Sequence, residues 1–110
     1  MKALVEYLNH KNIIFKSLQE IMPKELGSRK KVSLYLGLDL KGYYALVMEV
    51  EKKSRVLRKE AGEFMLLHEK LEKYMDSKIT KKYILIKAPL CSHAKAMLEE
   101  NGWKVWHVPE

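Results

Sequence analysis

Two stretches of strict alternation dominate the chain. Val32, Leu34, Leu36 and Leu38 alternate with Ser33, Tyr35, Gly37 and Asp39, and Tyr44, Leu46, Met48 and Val50 alternate with Ala45, Val47, Glu49 and Glu51. Period two over this length predicts two strands, and Leu40-Lys41-Gly42 between them predicts a β-hairpin. The register follows from the side-chain period, because paired residues must share a face. A three-residue connection with Gly42 in the left-handed region sets Asp39 opposite Tyr43 and Leu36 opposite Leu46. A two-residue Lys41-Gly42 turn would split the apolar face.

The flanking patterns are mostly helical. Leu4, Leu8, Phe15, Leu18 and Met22 fall close to an i, i+3/i+4 rhythm, which predicts a helical segment over residues 2–22. Asn9-His10-Lys11-Asn12 interrupts it and suggests two short helices with Asn12 as an N-cap. Pro23 and Gly27-Ser28 end the segment, so residues 1–28 read as an N-terminal helical part packing on the sheet. After the hairpin, Arg55–Lys59 reads as a short third strand. Residues 61–76 form an amphipathic helix with Phe64, Leu67, Leu71 and Tyr74 on one stripe. Tyr83-Ile84-Leu85-Ile86 is a buried strand, and a helix follows from about Leu90 to Asn101. Gly102 takes its C′ position, and Trp103–Val108 is the last strand. The order is α-β-β-β-α-β-α-β. This is an α/β class: an N-terminal helix, an antiparallel hairpin or meander, a helix, then a βαβ unit completing a mixed sheet. One domain, 1–110, is expected.

Composition narrows the classes. At 110 residues, 47% apolar and 32% charged, the chain is neither disordered nor a membrane span. A single cysteine, Cys91, excludes an intrachain disulfide and a cysteine-based zinc site. That lone cysteine and the absence of an apolar leader lead to the expectation of a cytoplasmic protein. The helix start at Cys91 favours a thiolate, but a small buried hydrophobe is the expected role. His10, His68, His93 and His107 lack metal-ligand spacing, and His68 reads as a core-edge residue. Trp103 and Trp106 lie on opposite faces of the last strand. One is expected in the core, and the other is open to base stacking or to a homodimer through an edge strand.

The formal charge is +7, and residues 1–60 carry 13 basic and 7 acidic side chains. The hairpin register gathers much of this excess at its open end. Arg29, Lys30 and Lys31 approach Lys52, Lys53 and Arg55, followed by Arg58 and Lys59. Such a basic pole suits the phosphates of DNA or RNA; a solvated strand edge is the alternative reading. A non-catalytic nucleic-acid-binding module, with no cofactor, is therefore the leading expectation.

Glu49 and Glu51 share one face of a strand, a spacing at which two carboxylates can share a divalent metal. Val47-Met48-Glu49-Val50-Glu51-Lys52-Lys53 resembles the second half of the D…(E)xK motif of restriction-endonuclease-like nucleases. Ile84–Pro89 and Gly102–Val105 are similar to the strand–helix–strand that closes some of them. That resemblance implies a metal-dependent nuclease with Glu49, Glu51 and Lys53 as its catalytic set. The residues opposite Glu49 and Glu51 are Ser33 and Lys31, however, and Asp39 stands at the other end of the hairpin. What the resemblance implies is thus a degenerate, non-cutting member. Tyr35–Gly42 also resembles the first strand and turn of the ribonuclease-H-like and actin-like group, with Asp39 as the metal- or nucleotide-side carboxylate. A protein–protein or dimerisation module is the third alternative.

Overall fold

The computed structural model describes residues 2–28 and 30–108. Helix α1 (Lys2–His10) leads into β1 (Phe15–Ile21), a 3-10 turn (Pro23–Leu26), β2 (Ser33–Asp39) and β3 (Tyr44–Glu51). Then come α2 (Arg58–Met75), β4 (Lys81–Lys87), α3 (Ser92–Glu100) and β5 (Trp103–His107). The strands form one sheet in the order β1-β2-β3-β4-β5. The first three pair antiparallel, and β4 and β5 add in parallel. The α-β-β-β-α-β-α-β order and mixed sheet are those the sequence predicts.

The hairpin has the expected register. Leu36 pairs with Leu46, and the Asp39 amide donates to the Tyr43 carbonyl across the turn. Gly42 sits at φ +89°, where any β-carbon would be strained.

Two layers of apolar side chains split the molecule by parity. Even positions of the hairpin (Leu34, Leu36, Leu46, Met48, Val50) pack with Phe64, Leu67 and Leu71 of α2 and Leu98 of α3. Odd positions Tyr35 and Val47 pack with Leu85, Trp106 and Leu4 and Leu8 of α1. The sheet is therefore sandwiched between α1 on one face and α2 with α3 on the other.

Three elements differ from expectation. Residues 15–21 are a strand, not the second half of an N-terminal helix. A register shift between Phe15 and Ser17 breaks the period-two pattern. Phe15 and Leu18, three apart, thus share the α1 face, and Ile21 packs on the opposite one, so an apolar residue falls at every third position and mimics a helix. Asn12 is not an N-cap but ends the turn after α1 at φ +62°, a conformation asparagine tolerates. Arg55–Lys59 is no strand: only Val56 forms an isolated bridge, to Leu90, and α2 begins at Arg58. The third meander strand is β1, which leaves β3 free to take β4 on its other side.

Two side chains also depart from their expected places. Tyr74 is 52% exposed, because the apolar stripe of α2 runs from Leu71 to Met75, which packs on the core and turns Tyr74 outward. Both tryptophans are buried, on opposite faces as expected: Trp103 against the α2–α3 layer and Trp106 against α1.

Candidate functional site

β3 and β4 run parallel, so their carboxyl ends open at the same edge of the domain, together with the start of β2. In sheets with parallel strands this is where the loops leave room for a ligand. A cleft of about 460 Å³ lies there. Leu4 of α1 closes it on one side, Lys31, Val32 and Ser33 form a second wall, and Glu49, Glu51 and Lys87 line its base.

The strand registers bring these groups together. Ser33 pairs with Glu49 across β2–β3, and Glu51 pairs with Lys87 across β3–β4. From that position the Lys87 ammonium reaches diagonally to Glu49 Oε2, at 2.9 Å. Burial pushes the Tyr35 phenol above its ordinary pKa; Ser33 opposes this, and the charges of Glu20 and Glu49 add to it.

The predicted catalytic set is thus only partly assembled. Glu49 and Glu51 share the cleft, but Lys53 does not join them, because β3 ends at Glu51 and Lys53 lies in the exposed bend beyond it. Lys87, from the neighbouring strand, faces Glu49 instead. Sequence reasoning missed Lys87, since 38 positions and a whole helix separate it from Glu49. A divalent cation takes six or more oxygen ligands, commonly several of them carboxylates. Here two carboxylates stand on one strand, a serine stands opposite, and an ammonium already engages one of the acids. Among the described residues no group of three or more His, Cys, Asp or Glu side chains is placed to hold a metal. These residues do not fit a divalent-metal centre.

Asp39 belongs to the other end of the sheet. Its Oδ1 accepts the amides of Lys41 (2.9 Å) and Tyr43 (2.8 Å), and its Oδ2 accepts from Lys81 at 2.6 Å. The Lys81 ammonium and the Tyr43 amide hold its carboxyl at about 2, well below the usual range. It closes the turn, which answers the resemblance that made it a ligand-side carboxylate.

Two of the lysines expected in the basic pole are held in internal pairs. Lys30 donates to Glu60 (3.0 Å) and Glu63 (2.7 Å) and stands over the Phe64 ring, so it pins α2 to the segment before β2. Burial lowers its pKa, but the hydrogen bonds to Glu63 and Glu60 outweigh that and hold it above the ordinary lysine value. Lys52 also pairs with Glu60. Burial would raise the Glu60 carboxyl, yet Lys52 and Lys30 together keep it low. These two lysines serve the fold. Arg29 lies outside the described residues. Lys31, Lys53, Arg55, Arg58 and Lys59 are exposed, and among the described residues none of them forms an ion pair. All five lie at the cleft end of the sheet.

Cys91 corrects another expectation. It is half-buried, not buried, and forms the N-cap of α3. The Ala94 and His93 amides lower its thiol pKa; burial opposes them, and Arg55 and Arg58 add to the lowering. His68 stands where expected, 12% exposed at the core edge, with Nε2 2.6 Å from the Ile79 carbonyl oxygen. A wider groove of about 690 Å³ runs along the C-terminal half of α2. Its lining alternates Glu69, Lys70, Glu72 and Lys73, so no one sign of charge converges there.

The chain shares its fold with solved structures of endonucleases. The chain superposes on EndoMS in its apo form with a TM-score of 0.57 at 15% identity, covering 99% of this chain and 46% of that one. It matches EndoMS in a complex with dsDNA with a TM-score of 0.54 at 14% identity, covering 96% of this chain and 43% of that one. A repair endonuclease from Pyrococcus abyssi gives 0.56 at 14% identity, with 99% and 45% covered. The chain spans less than half the length of these neighbours, and at such identities the likeness is one of fold. No protein-family model and no curated protein sequence matches it.

Proposed function

We propose that the chain is a nucleic-acid-binding domain built on a nuclease fold, which grips the phosphate backbone and does not cut it. The observation that carries this reading is the set of five exposed cations, Lys31, Lys53, Arg55, Arg58 and Lys59, at the end of the sheet that also holds a cleft whose acids are partly neutralised from within. Cations without an internal partner are those that can exchange counterions for phosphates. One fold neighbour was captured with dsDNA, which supports DNA as the first ligand to try. Against cutting stand Ser33 opposite Glu49 and Lys87 upon it.

The test is a salt titration of binding to labelled duplex DNA and to RNA. Five phosphate contacts give a log–log slope of about −4.5 on B-DNA. Replacing Arg55 and Arg58 together by glutamine is expected to flatten that slope by roughly two. Lys30→Gln, which removes the same kind of charge from an internal pair, should change stability and leave the slope alone. An absence of binding even at low salt would remove the proposal.

A further inference from the structure

Glu49 and Glu51 place two carboxylates on one face at the end of one strand, and such a pair attracts cations. The cation that meets them is part of the chain. Lys87 stands beside Glu51 in the β3–β4 register, and its ammonium lies 2.9 Å from Glu49 Oε2. Both side chains are well shielded, at 30% and 18% exposure, so water weakens this pair less than an open surface pair. Ser33, directly opposite Glu49, is neutral. Among the described residues that line the cleft, Glu49 and Glu51 are the only acids.

The geometry points to Lys87 as a fixed counter-cation that keeps divalent metal out of this cleft. A metal ion binding Glu49 would have to displace the ammonium or bind beside it. Displacement breaks the ion pair and strips a well-shielded carboxylate of its ammonium partner. Binding beside it sets a divalent charge against a positive one within a few ångströms. Either route opposes occupancy. Removing the lysine charge should therefore uncover a metal site that the native chain does not offer. This holds whether or not the domain binds nucleic acid.

The experiment is a Mn²⁺ titration of the whole chain followed by electron paramagnetic resonance of the free ion. Native protein is expected to leave millimolar Mn²⁺ unbound. Lys87→Met should bind it about tenfold or more tightly, since one nearby charge shifts a carboxylate's cation affinity by one to three powers of ten. Adding Glu49→Gln to that variant should abolish the binding. Lys53→Met, which removes an equal charge from the exposed rim, should bind no metal. Lys87→Gln keeps a hydrogen-bond donor for Glu49 and carries the same expectation if the methionine variant folds poorly. Two results would overturn the inference: native protein binding Mn²⁺ in a manner lost with Glu49→Gln, or folded Lys87 variants that bind no more metal than native.

Discussion

Lys81 Nζ lies 2.6 Å from Asp39 Oδ2, joining the start of β4 to the hairpin turn beyond β2 across the intervening strand. With two backbone amides on its other oxygen, Asp39 is held at about 2 against an ordinary 3.8. The folded state therefore favours the charged carboxylate. Its contribution is present above about pH 4 and is lost as pH falls toward 2. Lys81 is raised in turn, so its side of the pair is present below the ordinary lysine value and fades only as pH rises past it. Thermal melts between pH 2 and 6 should show Asp39→Asn less stable than native above pH 4, with the two curves converging at the acid end.

Gly37 and Phe15 predict a second effect. The Phe15 ring lies over Gly37, and a β-carbon added there would stand 2.9 Å from ring atoms. Gly37→Ala should push the ring aside, loosen β1 from β2 and cost roughly 1–3 kcal/mol, as overpacking does. Chemical denaturation of Gly37→Ala with and without Phe15→Leu measures the coupling, and the alanine should cost less once the ring is gone.

That pair also explains which parts of the fold were legible in the sequence. The hairpin was readable because Leu34–Val50 keep strict alternation and Gly42 occupies its required turn position. β1 was not, because Phe15 and Leu18 on one face and Ile21 on the other set an apolar residue at every third position, the spacing of a helix. Residues 55–59 misled for a related reason. Val56 is buried beneath charged neighbours, which looks like alternation, yet it contributes a single bridge. At the site, Glu49, Glu51 and their serine neighbour could be placed from the hairpin alone. Lys87 could not, since its position depends on which strand lies beside β3. The charge count overstated the basic pole because Glu60 and Glu63, which hold Lys30 and Lys52, come from a helix whose docking no local pattern reveals.

Trp103 and Trp106 are both buried, at 3% and 8% exposure, and Trp106 stacks on Tyr83 with ring centroids 5.5 Å apart. Neither is available to a nucleobase. Emission should be blue-shifted and resistant to iodide, and saturating DNA should leave it nearly unchanged. Strong quenching on binding would mean that a tryptophan contacts the ligand.

Cys91 should ionise below its ordinary 9.0, through the Ala94 and His93 amides first and Arg55 and Arg58 beyond them. The pH profile of its alkylation should have a depressed midpoint, and replacing both arginines by glutamine should move it upward. Because those arginines belong to the proposed binding rim, bound duplex should slow alkylation of the native chain.

Binding without metal-dependent cutting is tested by fluorescence anisotropy of a labelled duplex at low salt, once in EDTA and once with millimolar Mn²⁺, with the DNA then run on a denaturing gel. The expected result is binding in EDTA, little change with Mn²⁺ beyond ionic screening, and intact strands in both. Strands cut only in Mn²⁺, with the cutting lost in Glu49→Gln, would contradict it.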